Sequence, residues 1–350
     1  MATLPATNLT LADWAKRVDP NGQVPVVAEL LTQTNDILKD AVFKEGNLPT
    51  GDRVVVRTGL PTVYWRALNK GIPSSKSTTA QVDEACGILE ARSEIDKDLA
   101  MLNGNSAAFR LSEDTAFLES MNQTAATTMF YGNPATDPLQ PMGLAPRYSS
   151  LSAGNAQNII SSGGANAGAT TSIYLVVWGD QTVYCPFPKG SKAGLIHEDL
   201  GEQTVYTPSS LGGTTASATD RMQALVTRYQ WKTGLVVKDW RYAARICNID
   251  VTDIAALTNE QAPTGVFTHL VHQMTKAVCR IPNLSMGRPV FYMNRTVYTG
   301  LMRQALEKSV SALSIQSALT QFGTPVSWGS FLGIPMRCCD AILNTEAVVS

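Results

Sequence analysis

The sequence predicts an α+β fold with an extended arm and a long β-hairpin. Three observations predict it. Residues 50–96 divide into two arms of opposite charge, residues 111–131 read as one long helix, and helix and strand patterns alternate from Pro263 onward.

Residues 1–48 read as an arm with two helices, one in LADWAKRVD and one in VPVVAELLTQTNDILKD, separated by Asn21-Gly22 and Pro25. The arm is too short to enclose a core of its own. The hairpin follows. Its outgoing arm, Thr50 to Lys76, holds Arg53, Arg57, Arg66, Lys70 and Lys76 against one acid, Asp52. Its returning arm, Ser77 to Asp96, holds Asp83, Glu84, Glu90, Glu94 and Asp96 against one base, Arg92. Arms of net +4 and −4 attract when laid side by side. About 20 residues per arm at roughly 3.3 Å each reach on the order of 60 Å. A two-stranded ribbon of that reach is marginal in water and needs another surface, which a neighbouring copy supplies. The expected contact residues are Arg53, Arg57, Trp65, Arg66, Lys70, Lys76, Asp83, Glu84, Glu90 and Glu94. Gly51, Gly59 and Gly71 are the expected hinges. Gly59 with Pro61, and Gly71 with Pro73, make the ribbon irregular, with a tip near 69–76.

The helix at 111–131 has Ser112 as its expected N-cap and Phe117, Leu118, Met121, Ala125 and Met129 along one face. Residues 134–168 read as loops and 173–178 as a buried strand. Residues 190–219 read as polar loop containing GGTTASAT. Residues 224–232 and 235–246 read as a hairpin around Thr233-Gly234. An amphipathic helix over 267–278, a buried strand over 289–293, a helix capped by Asn294 and running to Leu306, and a strand over 331–337 close the chain. No internal repeat is visible.

Composition narrows the function. The chain has 350 residues, 44% hydrophobic, so a substantial core is available and about two domains are expected. A net charge of −1 argues against a dedicated nucleic-acid binder, though not against a container whose wall faces nucleic acid. The longest apolar runs are too short to span a membrane, and the N-terminus does not read as a signal peptide. The six cysteines show no CxxC spacing and read as reduced thiols.

Catalytic signals are weak. No Walker A loop, no G-x-G-x-x-G and no G-x-S-x-G elbow occurs. His269, His272 and Cys279 stand at spacings a metal could use, but polar flanks of an amphipathic helix account for them more simply. Cys338–Cys339 make a poor redox pair because adjacent cysteines are strained partners. Tyr64, Trp65, Trp178, Trp231, Trp240 and Tyr242, interleaved with basic residues, could stack on bases, yet sheet packing explains them better. No catalytic residue, cofactor or metal is expected.

Longer stretches carry a resemblance. LTLADWAKRVDPNG, the text from EGNLPTGDRVVVRTG to SEIDKDLA, RLSEDTAFLESMNQ, YGNPATDPLQPMGLAPRYSSL, PKGSKAGLIHEDLGE and GRPVFYMNRTV are similar to major capsid proteins of epsilon-15-like short-tailed phages. Those proteins have the Hong Kong 97-type fold. The resemblance spans nearly the whole chain. It implies an N-terminal arm at 1–48, an extended loop at 49–96, a peripheral domain at 97–254 with 111–131 as its spine helix, and an axial domain at 255–350. It also implies a permuted connectivity, because PVFYMNRTVYTGLMRQAL follows the strands it precedes in most members of that fold. The implied function is self-assembly as hexamers and pentamers into an icosahedral shell around double-stranded DNA, packaged without sequence specificity. Implied partners are further copies, a separate scaffolding protein, a portal and a cement or decoration protein, with no membrane. The implied location is the virion capsid, assembled in the host bacterial cytoplasm and matured from a procapsid. Lys70 and Lys76 lie near the loop tip, but covalent crosslinking is not expected. The alternatives are a tail or decoration subunit forming a trimer or ring, and a histidine- or metal-dependent hydrolase that clusters His197 with His269, His272 or Cys279.

Overall fold

A computed structural model describes residues 9, 13, 31–102, 106–164, 166, 168–206, 221–252, 265–306, 313–319 and 325–350, with side chains omitted for 265–269, 303–306, 313–319 and 325–328. The chain divides into two compact units.

The larger unit is built from Thr34–Gly87, Ala126–Ala193 and Thr233–Ser350. Its centre is strand β6 (Thr170–Trp178). In chain order its other strands are β1 (Phe43–Glu45), β2 (Gly51–Gly59), β3 (Thr78–Ala85), β5 (Ile159–Ser161), β7 (Val183–Phe187), β10 (Val236–Val237), β11 (Ala243–Asp250), β12 (Arg288–Met293), β13 (Leu313–Leu319), β14 (Pro325–Phe331) and β15 (Ile334–Cys338). Strand β6, Thr170–Trp178, has all nine residues buried, as an unbroken apolar run requires when both faces of a sheet are covered. The main ladder runs β1-β7-β6-β12-β15-β14-β13, with β10 on β7 and β11 joining β5 and β6. Alternation decides which layer each side chain joins. Tyr174, Val176 and Trp178 point to a core shared with Ala126, Met129 and Phe130. Ile173, Leu175 and Val177 point to a second core under helices Gly265–Arg280 and Arg295–Leu306, through Leu270, Met274, Val297 and Leu301. Strand β11 obeys the same rule until the register shifts between Ile246 and Ile249. There Asn248 adopts φ 57°, and its side chain bonds both the N–H and the carbonyl of Val349.

The smaller unit is built from Ile88–Ala125, Gly194–Lys232 and the described residues among 1–33. Strands β4 (Gly87–Asp96), β8 (Leu195–Tyr206) and β9 (Arg221–Thr233) form a three-stranded sheet in the order β4-β9-β8. Asp96 caps the short helix Lys97–Met101 by accepting from the N–H groups of Asp98 and Leu99. Ile95, Ala100 and Phe109 make the core, joined by Leu9 and Leu225. Ion pairs lace the sheet: Arg228 to Glu90 at 2.9 Å and to Glu198 at 3.2 Å, Arg110 to Asp199 at 2.8 Å, and Lys97 to Glu202 at 2.8 Å. The bond from Arg228 holds the Glu90 carboxyl below the usual range, and the bond from Arg110 does the same for Asp199. Because both folded values are depressed, their contribution is present above the unfolded carboxylate value, near pH 4, and is lost as pH falls through the folded value. We expect circular-dichroism melting of the chain to weaken below about pH 4, most steeply at low salt.

Several sequence expectations need correction. The long helix starts at Ser106 rather than 111, so Ser112 lies inside it and donates back to the Phe109 carbonyl instead of capping. The segment expected as polar loop contains β8, and GGTTASAT lies outside the described residues. Residues 224–232 and 235–246 do not form a hairpin: β9 pairs with β8, β10 with β7, and β11 with β6. The single strand at 331–337 is two strands, β14 and β15, joined at Leu332-Gly333, where φ is 50° and 79°. Of the second arm helix, the described residues form one turn, Ile37–Asp40. The first arm helix lies outside the described residues except Asp13. The expected boundary at 254/255 falls within one sheet, since β11 and β12 both pair with β6.

Candidate functional site

Strands β2 and β3 form a two-stranded sheet with Asp52 opposite Glu84 and Arg53 opposite Asp83. The base of this hairpin is held tightly. Asn47 closes a polar ring there, donating from its side-chain amide to the Arg53 carbonyl at 2.8 Å and accepting from the Arg53 N–H at 2.7 Å. The Tyr184 hydroxyl donates to Asp52 at 2.5 Å, and Val54 is buried against Tyr184 and Val236. Arg147 grips Glu84 with two bonds of 2.6 and 2.7 Å, both side chains nearly buried at 13% and 10% exposure. The same guanidinium also donates to the Leu235 carbonyl at 2.9 Å. A β-carbon on Gly51 would lie 2.0 Å from the Glu84 carbonyl oxygen, so only glycine fits. Gly51→Ala should therefore break the base register, and limited proteolysis should then cut the hairpin faster than in the wild type.

Beyond the base nothing covers the chain. Every residue from Leu60 to Asp83 is exposed. This stretch includes Leu60 at 81%, Val63 at 87%, Trp65 at 104% and Leu68 at 91%, with Tyr64 and Ile72 also open. The ladder stops at Gly59 opposite Thr78, and residues 60–77 hold together through little more than a bond from the Ser75 hydroxyl to the Thr62 carbonyl and a turn at Ala67–Lys70. So many large apolar side chains on one unsupported segment mark an association surface.

The structure sorts the expected contact residues into two groups. Arg53 pairs with Asp83, Glu84 with Arg147, and Glu90 with Arg228, all within the chain. Glu90 and Glu94 leave the hairpin altogether, because residues 87–96 form β4 beside β9. Arg57, Arg66, Lys70 and Lys76 carry no ion pair among the described residues; Arg66, Lys70 and Lys76 lie on the exposed segment with Trp65, and Arg57 is exposed on β2 opposite Thr79. The expected hinges differ similarly. Gly51 is locked by close approach, Gly59 sits at a ladder irregularity, and Gly71 has open space around it. Sequence reasoning missed Leu60, Val63, Leu68 and Ile72. Their signal was apolar residues inside a Gly/Pro-punctuated stretch. It also missed the anchors Asn47, Arg147 and Tyr184.

The other candidates stand apart from this loop. Trp178 is buried and donates to the Tyr292 hydroxyl at 2.8 Å. His197 lies against the Tyr229 ring on β8, while His272 is exposed on the helix Gly265–Arg280. The side chain of His269 lies outside the described residues. All six cysteines are free thiols.

The loop is thus firmly anchored at its base and uncovered beyond it. Comparison with known proteins identifies the kind of subunit. Residues 19–350 match the family described as major capsid protein GP7, and the chain belongs to that family. It is similar to a chain of bacteriophage Epsilon15 at 29% identity and a TM-score of 0.71, covering 100% of this chain and 99% of that one. It is also similar to the bacteriophage JBD30 capsid at 8% identity and a TM-score of 0.48, covering 91% and 94%. No match is found among curated proteins. The fold is of the Hong Kong 97 type, and the protein is a phage coat protein that forms an icosahedral shell as part of the virion capsid.

Proposed function

We propose that the segment 60–77 is the contact that joins copies into hexamers and pentamers, each loop lying across a neighbour. The observation that carries this is the run of exposed apolar side chains beyond a tightly bonded base. Many weak copies of one contact then stabilise a shell collectively. A net charge of −1 limits repulsion among the copies. In this reading residues 1–48 are the arm and 49–86 the loop. The smaller unit, with the first part of the helix Ser106–Tyr131 as its spine, forms the peripheral domain, and much of the larger unit forms the axial domain. The shell encloses double-stranded DNA without reading its sequence. Scaffolding, portal and cement functions come from separate chains, and assembly takes place in the host cytoplasm. The role is structural, without catalysis, cofactor or metal. Gly59 and Gly71 are the proposed hinges during maturation.

The test is to purify the chain alone and image it by negative-stain electron microscopy. Shells, sheets, tubes, hexamers or pentamers are expected. A chain that stays monomeric even when co-expressed with the other head proteins of its phage would overturn the reading.

A further inference from the structure

Given the assembly reading above, the charges of the loop constrain what its tip can meet. Between Val54 and Val82 the chain has Arg57, Arg66, Lys70 and Lys76 and no acidic residue. The acids expected to balance them are used elsewhere: Asp83 holds Arg53 and Glu84 holds Arg147. The distal loop is therefore a cationic, apolar surface with no counter-charge of its own. Its seat must be acidic and apolar.

Many acids of the described residues are already ion-paired, including Glu90, Glu198, Asp199 and Glu202. The corner where β4 runs into the helix Lys97–Met101 differs. Glu94 and Asp98 have no ion pair among the described residues, and Asp96 accepts only backbone N–H groups. Met101 and Leu102 follow at once, 52% and 53% exposed. Acidic and apolar groups thus lie together here, as cationic and apolar groups do on the loop. The loop is exposed throughout, and at the corner Asp98, Met101 and Leu102 are exposed while Glu94 and Asp96 are half-buried.

We propose that the loop tip of one copy is received by this corner of a second copy. Arg66, Lys70 and Lys76 face Glu94, Asp96 and Asp98, and Trp65 and Leu68 cover Met101 and Leu102. Opposite charges set the orientation, while the apolar residues supply most of the attraction.

Two experiments test this on the full chain. The first is zero-length carbodiimide crosslinking of shells assembled from isotopically mixed subunits. It should join Lys70 or Lys76 to Glu94, Asp96 or Asp98 between chains, as read by mass spectrometry. The second is a charge exchange. R66E/K70E/K76E and E94K/D98K should each lower shell yield about ten-fold or more, and their combination should restore it to within about two-fold of the wild type. Circular dichroism and melting, unchanged in all three variants, would show that the effect is on assembly. Crosslinks to other acids, or a combined variant no better than its parents, would overturn the proposal. Failure of the assembly reading itself would look different: the wild-type chain would then form no shells.

Discussion

Replacing residues 60–77 with an Asn-Gly turn should leave a chain that folds and melts like the wild type but forms no shells. The ladder supports this design, because Gly59 and Thr78 already pair at its last rung and a two-residue turn suits a hairpin. Little of the folded state is lost, since every removed side chain is exposed. Assembly loses much more. Six large apolar side chains leave with the segment, and full burial of each is worth about 1.5–3 kcal/mol. Even a third of that per contact, repeated through a shell, outweighs the ordering of the loop. Sedimentation velocity and electron microscopy would read the result. Normal shells from the shortened chain would remove the loop from the account.

Glu346→Ala should cause the largest loss of stability. The Glu346 carboxylate is 4% exposed and receives Arg245 at 2.8 Å, itself 5% exposed. The hydroxyls of Tyr131 and Ser172 donate to the same carboxylate. Arg245 also donates to the carbonyls of Tyr148 at 2.9 Å and Ala145 at 3.3 Å. The C-terminal segment is held in register beside this network, where the Glu346 N–H donates to the Thr170 carbonyl at 2.9 Å. Removing one member of a buried pair strands the other charge and costs about 3–5 kcal/mol. At roughly 2–4 °C per kcal/mol, melting should fall by about 6–20 °C. A joint Arg245→Met and Glu346→Met variant should lose less than the sum of the two single changes, because the pair is coupled. A shift of under about 2 °C for Glu346→Ala would mean the network contributes little.

What the sequence made legible was local. The apolar run at 173–178 could only be a buried strand, and Asn294 caps its helix as its position implies, accepting from the Thr296 N–H at 2.8 Å. The segregated charges of residues 50–96 marked a hairpin, and Arg53 does meet Asp83 across it. The same charges misled beyond Ala85. An acidic strand attracts any basic strand, and Glu90 found Arg228 instead of a partner in the outgoing arm. Charge counting cannot choose between partners 30 and 138 residues away. Strand β8 was missed because its residues are mostly exposed on both faces, leaving no apolar alternation to read. The Glu346 network was invisible for a related reason: its side-chain partners lie 101 to 215 residues from Glu346, and each alone looks ordinary. The candidate surface was half legible. Its cations and Trp65 were expected, while Thr62–Arg66 read as strand and is not one, so its exposed valine and the flanking leucines were not seen as surface.

The most direct test is a cryo-electron-microscopy reconstruction of the assembled shell in which residues 60–77 are traced. The account predicts that each segment lies on a neighbouring copy with Trp65, fully exposed in the single chain, buried there. A loop folded back on its own subunit, or left open to solvent in the finished shell, would contradict it.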